Sequence, residues 1–308
     1  FGVRSSAMAI FIDLLLNALV IGVLLGGFYA ALSIGLSITF GLLDVVNIAH
    51  PTMLVLGAFI AFLLNSTWGI DPVLAGIIST PFFFVLGWLI YQVYYNVFEK
   101  SGAESLRGLA FFFGLLFIIE VGLIIQFGVD HRLVEAPYIG QSWNIVIGEE
   151  IDVAIPFRLL VAFVVAAIAT LAIHAYLTKT FFGRAVRAVA QDMMALRLMG
   201  VDPIRVKRIA FAMGVATAGI GGALMIIVLP IEPSLGRLYL GNVFAIVVLG
   251  GLGSISGTLL AAVIIGIAES IVATFFGPSW APAVSFGILL AVLAFRPEGL
   301  FGKTAGAH

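Results

Sequence analysis

The sequence has no cysteine and few charged residues. The absence of cysteine from all 308 positions excludes disulfides and thiolate metal sites. Charged residues make up 10% of the chain, whereas about a quarter is usual in soluble domains. Hydrophobic residues make up 62%, and the mean hydropathy is +1.20. These values exclude an ordinary soluble domain and indicate a chain that crosses a membrane several times.

The sequence also lacks motifs for catalysis or nucleotide binding. Gly302-Lys303-Thr304 resembles the end of a phosphate-binding loop, but Pro297 stands where the first glycine of that loop is required. The glycines at 250 to 257 do not fit the dinucleotide-binding pattern. His50 has no second His, Cys or carboxylate at ligand spacing. We therefore predict no catalytic residue, no metal site, no cofactor and no nucleic-acid partner.

Long uncharged runs are what the sequence has instead. Seven runs without Asp, Glu, Lys or Arg cover residues 14–43, 45–70, 72–98, 159–178, 209–231, 238–268 and 270–295. Each is longer than the roughly 18 residues that indicate a membrane-spanning helix, whereas barrel strands need only about 10 alternating residues. We predict an all-α, polytopic transmembrane helical bundle of about 8–10 membrane segments, some interrupted or re-entrant. It forms a single domain over residues 1–308.

The first hydrophobic run, from about residue 9 to 43, is too long for one crossing and short for two. We expect a full helix followed by a short or broken one. Gly22 and Gly26 form a GxxxG pair that allows close helix contact. We interpret this pair as packing within the chain, and a contact between subunits is the alternative.

Two interrupted segments are predicted, one in each half of the chain. The first contains Asp44, Asn47 and His50 between two apolar segments, and Pro51 prevents continuous helical hydrogen bonding. Non-helical backbone of this kind either borders a translocation path or forms a cytoplasmic turn. The second interruption lies in the glycine-rich sequence LGGLGSISG. We predict that both interruptions line one path, with Asp44, Asn47, His50, Gly250, Gly251, Gly253 and Ser254 as its residues.

Basic residues are concentrated in residues 179–208, which hold seven of the fifteen Lys and Arg residues. Only two acids, Asp192 and Asp202, lie in that segment, whereas residues 130–156 are rich in Asp and Glu. Cytoplasmic loops of membrane proteins carry the excess of basic residues. We therefore predict a cytoplasmic loop at about 179–208, an exoplasmic loop at about 130–156 and a cytoplasmic C-terminus.

The interior of the basic loop, residues 184–199, has the pattern of a short amphipathic helix. Val186, Val189, Met193 and Leu196 recur every three or four residues and form an apolar stripe beside a basic face. Gly200 is expected to end this helix, and Asp202-Pro203 to begin the next. Two interpretations remain open: a basic loop held by anionic lipid, and a docking helix whose stripe enters a groove on a cytoplasmic partner.

Several stretches together resemble LivH-type permeases, the membrane subunits of bacterial branched-chain amino-acid ABC importers. They are GLSITFGLLDVVNIAH, GRAVRAVAQDMMALRLMGVDP, AIVVLGGLGSISG and FRPEGLFGK. Pro51 departs from the family pattern, where a glycine is usual after the histidine, and Asp44 also departs from it. Because both residues border the predicted path, the substrate is what these departures put in doubt.

The resemblance implies a multi-pass subunit of the bacterial cytoplasmic (inner) membrane that contacts membrane lipid and passes a small-molecule substrate. Its partners would be a second permease, identical or different, two cytoplasmic ATPases and an exoplasmic substrate-binding protein. The residues implied in ATPase coupling are Gly183, Arg184, Arg187, Val189, Met193, Arg197, Gly200, Asp202 and Pro203. Relatives import leucine, isoleucine and valine, and others import urea, short amides or aromatic acids.

Two other classes of protein remain as alternatives. An ion-coupled secondary transporter is one, because Glu120 and Glu269 lie inside predicted spans and carboxylates there are functional candidates. For Glu120, a hydrogen bond within the helix bundle is an equal alternative. A structural membrane subunit is the other. Neither alternative needs a cytoplasmic docking helix.

Overall fold

The computed structural model describes residues 2–101, 105–147, 151–296 and 299–301. Within these residues the chain forms eleven α-helices and one two-stranded antiparallel sheet. The helices are α1 (Gly2–Thr39), α2 (His50–Trp68), α3 (Pro72–Val97), α4 (Ser105–Phe127), α5 (Phe157–Lys179), α6 (Phe181–Gln191), α7 (Met193–Leu198), α8 (Pro203–Val228), α9 (Leu235–Gly250), α10 (Ile255–Phe276) and α11 (Ala281–Phe295). The strands are β1 (Ser142–Ile147) and β2 (Ile151–Pro156). Glu149 and Glu150 of the acidic segment 130–156, and Lys303 near the C-terminus, lie outside the described residues.

Eight of the helical segments are long and apolar enough to cross a membrane, and α9 is a shorter apolar helix. The eight are α1, α2, α3, α4, α5, α8, α10 and the segment Pro278–Phe295, which contains α11. The predicted all-α, polytopic bundle is therefore confirmed.

The β1–β2 hairpin and the basic segment 179–208 mark the two ends of the bundle, called here the hairpin end and the basic end. Asn17 ties α1 to the hairpin, because its side-chain amide donates to the Asp152 carbonyl at 2.9 Å and accepts from the Ala154 amide at 3.0 Å. After α1 ends, Gly41 contacts Gly253. The C-terminal part of the described chain also lies at the basic end, where the Leu300 amide donates to the Leu249 carbonyl at 2.8 Å.

The first helix corrects one expectation. We expected a break within residues 9–43, but α1 is continuous over 38 residues, or about 57 Å at 1.5 Å per residue. Asn17 lies at the level of the hairpin, so the part of α1 that precedes Asn17 extends beyond that level. The expected second element begins only after Thr39.

Helix α8 lies at the centre of the bundle, and small residues on it let other backbones approach closely. In the most apolar 18-residue stretch of α8, 83% of the residues are buried, compared with 6% in that of the last span. A Cβ added at Gly222 would overlap the Leu54 carbonyl of α2, and one at Gly57 would overlap the Ala218 carbonyl of α8. On the α3 side, a Cβ at Gly76 would lie 2.7 Å from the Cβ of Ala223. Small residues therefore determine how near α2 and α3 lie to α8.

Helices α1 and α10 pack through the predicted GxxxG pair. A Cβ at Gly22 would lie 2.6 Å from the Cα of Ile267, and one at Gly26 would lie 2.5 Å from the Cα of Val263. The partner is in the same chain, so the interpretation of this pair as internal packing is confirmed.

Enlarging Gly26 is expected to destabilise the bundle. In Gly26→Leu the new side chain meets backbone that cannot move aside, and overpacking of this kind typically costs ~1–3 kcal/mol or more. We expect the midpoint of thermal unfolding of the purified protein to fall by several degrees. Gly114→Leu is the matched control, because a Cβ on this helical glycine of α4 meets nothing within 4 Å. Equal unfolding midpoints for the two variants would contradict the α1–α10 contact.

Candidate translocation path and coupling segment

The first predicted interruption is present between α1 and α2. The Val45 amide donates to the Thr39 carbonyl at 3.0 Å, and Asp44 has a φ of 57°, which few residues other than glycine adopt. Helix α2 then starts at His50, with Pro51 in its first turn, where a missing amide proton costs nothing.

The predicted path residues of this interruption differ in exposure. Asn47 and His50 are fully buried inside the chain, whereas Asp44 is exposed. The His50 ring nitrogen Nε2 lies 3.2 Å from the Leu32 carbonyl of α1. Four buried polar atoms here have no hydrogen-bond partner among the described residues: Ser33 Oγ, Asn47 Oδ1, His50 Nδ1 and Thr52 Oγ1.

The second predicted interruption lies between α9 and α10 and contacts the first. Gly251 and Gly253 have φ angles of 86° and 82°, and Ser254 caps α10 by accepting from the Gly257 amide at 3.0 Å. A Cβ at Gly253 would lie 2.8 Å from the Gly41 carbonyl. The structure therefore brings Gly253 against the start of the first interruption, while Asn47 and His50 lie deeper in the bundle.

The basic segment is two helices, not the single helix predicted over residues 184–199. Helix α6 ends at Gln191, and Asp192 caps α7 by accepting from the Met194 amide at 2.8 Å and the Ala195 amide at 2.9 Å. An aspartate that bonds the following amides favours a new helix start over a continuous helix. The expected end of the segment is confirmed, since Gly200 has a φ of 79° and Asp202 caps α8 just before Pro203.

The apolar stripe of this segment faces the chain itself. Val186, Val189 and Leu196 are at most 5% exposed, whereas Met193 is 41% exposed. The expectation that Val189 enters a groove on a partner is therefore wrong for this structure. Val189 is buried within the chain, where its helix α6 contacts α5 and α8. The exposed apolar side chains of the segment are Phe181, Met193, Met194, Leu198 and Met199. Arg184, Arg187 and Arg197 are exposed beside them.

A cavity of about 420 Å³ lies where the basic segment meets the two interruptions. Its wall combines Gly183 and Arg187 of the segment with Gly253 and Ser254 of the second interruption. The other lining residues are Gly41, Leu42, His174, Leu177, Thr178, Gln191, Leu252, Ile255, Ser256 and Phe301. Residues predicted separately for the path and for coupling therefore share one cavity.

Residues 18–293 match the family described as the permease component of the branched-chain amino acid transport system. The chain belongs to this family. It is 30% identical over 298 residues to the high-affinity branched-chain amino acid transport system permease protein BraD of Pseudomonas aeruginosa, a match that covers 94% of this chain and 96% of BraD. It is 28% identical over 291 residues to LivH of Escherichia coli, covering 92% and 94% of the two chains. No solved structure is found to match.

A third relative extends the similarity to a differently named permease. LivM of Escherichia coli is 25% identical over 293 residues, covering 90% of this chain and 68% of LivM. The match over residues 18–293 confirms the resemblance seen in the sequence motifs. Members of the family are transport components and not enzymes.

The permease also has an ion pair at the basic end that sequence reasoning missed. The Lys207 ammonium lies 2.5 Å from a carboxylate oxygen of Glu99, and the Tyr91 hydroxyl donates to the other oxygen at 2.6 Å. Arg208 lies over the Trp88 ring at 5.0 Å and bonds Gln92. Nothing in the local sequence predicts partners more than 100 residues apart.

The two intramembrane carboxylates of the permease have different partners. Glu120 on α4 pairs with Arg237 on α9 at 2.8 Å. Glu269 on α10 accepts from the Tyr29 hydroxyl at 2.5 Å, from the Asn242 amide at 3.3 Å and from the Ser285 hydroxyl. Each carboxylate links its helix to neighbouring helices.

Substitution of Gly253 is expected to stop transport by the assembled system while the permease still inserts. In Gly253→Leu a side chain meets the Gly41 backbone, and the left-handed φ adds roughly 1–2 kcal/mol of strain. Gly277→Leu is the control, because Gly277 has a φ of 100° but open space around its Cβ position. Transport and membrane-fraction abundance are measured for both in proteoliposomes and cells. Normal transport by Gly253→Leu would refute a role for this contact.

Proposed function

We propose that this permease is one of two membrane subunits of an ATP-driven importer of branched-chain amino acids in the bacterial inner membrane. The observation that carries the proposal is the shared cavity, where the basic segment meets both interruptions of the helices. A movement of the basic segment therefore changes the shape of a cavity that both interruptions line. The names of BraD and LivH, which align over more than nine tenths of the chain, support the choice of substrate.

The basic end faces the cytoplasm in this proposal. Residues 179–208 hold seven of the fifteen basic residues of the chain, and such an excess is typical of cytoplasmic segments. The C-terminal part of the described chain faces the cytoplasm as well, because residues 299–301 lie at the same end. The hairpin end then faces outward, where a substrate-binding protein delivers the solute.

The path runs along the two interruptions. The buried, unpaired polar atoms of Asn47 and His50 support this course, because such atoms are costly unless water or a polar solute satisfies them. Asp44 and the residues Gly250, Gly251, Gly253 and Ser254 lie towards the basic end of the path. The contact between Gly41 and Gly253 closes the path, and separation of the two interruptions opens it.

The partner ATPases bind the basic segment through its outer face. Met193, Met194 and Leu198 are the apolar anchors, and Arg184 and Arg197 form a basic rim, whereas Arg187 lines the cavity. Gly183 supports this arrangement from behind, since its backbone packs against Leu177 of α5. Gly200, Asp202 and Pro203 fix the turn into α8.

ATP alone is expected to drive uptake. Glu120 pairs with Arg237, and Glu269 accepts hydrogen bonds from Tyr29, Asn242 and Ser285, so both carboxylates have structural partners. An ion-coupled transporter would instead need a carboxylate that is free to carry protons. With both permeases, the ATPases and loaded binding protein in proteoliposomes, radiolabelled leucine should accumulate with ATP and no ion gradient. A non-hydrolysable ATP analogue is the control. Accumulation that requires an ion gradient would favour a secondary transporter, and uptake of urea in preference to leucine would change the substrate.

Charges placed on α7 are expected to detach the ATPases. The double variant Met194→Asp/Leu198→Asp puts carboxylates on two side chains that are 68% and 83% exposed. Loss of apolar anchors at a protein interface can cost a few kcal/mol, whereas a surface cation near anionic lipid contributes about 1 kcal/mol. Co-purification of the ATPases should fail for the double variant and persist for Arg187→Lys. Val129→Asp/Leu133→Asp, exposed at the hairpin end, is the matched control. Retention of the ATPases by the α7 variant would leave only the lipid-surface interpretation.

A further inference from the structure

The cavity at the basic end has the chemistry of a site for a small organic acid. One part of its wall is polar, with Arg187, His174 and Ser256. The rest is apolar, with Leu42, Leu177 and Phe301 among its residues. None of the described residues that line the cavity is Asp or Glu. The wall therefore combines positive charge with apolar surface.

The Arg187 guanidinium retains most of its donors. Its one described hydrogen bond runs from Nη2 to the Thr178 carbonyl at 3.4 Å, which is long. No carboxylate of the described chain lies within 4.0 Å of it. A guanidinium in this state binds a carboxylate with two parallel hydrogen bonds. The carboxylate is thus the part of the ligand that Arg187 would recognise.

The size of the cavity limits the rest of the ligand. A volume of about 420 Å³ is at the lower end of ligand pockets, which span about 300–1,000 Å³. The apolar wall suits an aliphatic or aromatic side chain of a few carbons, whereas a highly charged nucleotide would leave Leu42, Leu177 and Phe301 unmatched.

The position of the cavity indicates what binding does. Arg187 belongs to α6, Leu177 to α5, and Ser256 to the first turn of α10 just after the second interruption. A ligand that contacts all three stabilises the arrangement in which the cavity has this shape. It therefore opposes any movement of the basic segment relative to the interruptions.

We propose that this cavity binds a small carboxylic acid with an apolar side chain from the cytoplasmic side, and that binding slows the transport cycle. The branched-chain amino acids have this chemistry, so the site would reduce import when the internal pool is high. The cytoplasmic access and the identity of the pool rest on the proposed function, whereas binding in the cavity does not.

Binding is tested first, on the purified permease complex without substrate-binding protein. Equilibrium binding of radiolabelled leucine is measured with two unlabelled competitors. Leucinamide lacks the carboxylate, and glycine lacks the apolar side chain. We expect saturable leucine binding and at least tenfold weaker competition by leucinamide and by glycine, because each loses one class of contact. Arg187→Gln should weaken leucine binding about tenfold, and Ser256→Phe, which fills the cavity, should abolish it. Arg205→Gln is the matched control, because this exposed arginine of the basic segment does not line the cavity.

Inhibition is tested second, in proteoliposomes that contain ATP and either leucine, leucinamide or neither. Each variant is compared with its own rate in the absence of internal ligand. Internal leucine should lower the initial uptake rate of the unmodified permease at least twofold, leucinamide should not, and Ser256→Phe should be insensitive. Complete lack of uptake without internal ligand would count against the proposed function, and the binding measurement would still decide the site. No leucine binding, or binding that Arg187→Gln and Ser256→Phe leave unchanged, would overturn the proposal.

Discussion

The close approach of helix backbones to α8 is the constraint on which the rest of the structure depends. In a membrane, lipid tails are as apolar as the side chains, so helices associate mainly through packing and polar contacts. The small residues of α8, among them Ala218 and Gly222, supply that packing by letting α2 approach to backbone contact. At the basic end, Lys207 pairs with Glu99 just after α3, and Arg208 lies over the Trp88 ring of α3, so α8 is also linked to α3. The helices around α8 are therefore closely packed.

The interruptions lie beside these helices and consist of non-helical backbone. The first contains a few backbone hydrogen bonds and an aspartate with a left-handed φ, and the second contains two glycines with left-handed φ. Gly41 and Gly253 contact each other without side chains between them. Because no side chains interlock at this contact, the two backbones approach closely and can separate without a rearrangement of core side chains. The polar atoms of Asn47 and His50 lie behind it, in the part of the chain where an open path would satisfy them.

The sequence predicts the helices and both interruptions because these features depend on local chemistry. Uncharged runs longer than a bilayer is thick form spanning helices, Pro51 cannot donate a hydrogen bond, and clustered glycines weaken a helix. In contrast, the local sequence does not determine which surface buries an apolar stripe. Val189 belongs to a stripe that either a partner or the chain itself could bury, and the positions of α5 and α8 decide between them. The same holds for Lys207, whose partner Glu99 is far away in sequence. The split at Asp192 does have a local signal, since aspartate favours a helix N-cap.

The burial of Val189 changes how coupling through the basic segment works. Helix α6 is attached to the bundle through Val186, Val189 and Gly183, so it moves with α5 and α8. Helix α7 carries the exposed Met193 and Met194, and it also contacts α6 and α8, with its Leu196 buried. A partner that binds α7 therefore acts on α6 through these contacts and the link at Asp192, and α6 forms one wall of the cavity that the second interruption also lines. Under the proposed function, ATPase movement changes the shape of this shared cavity.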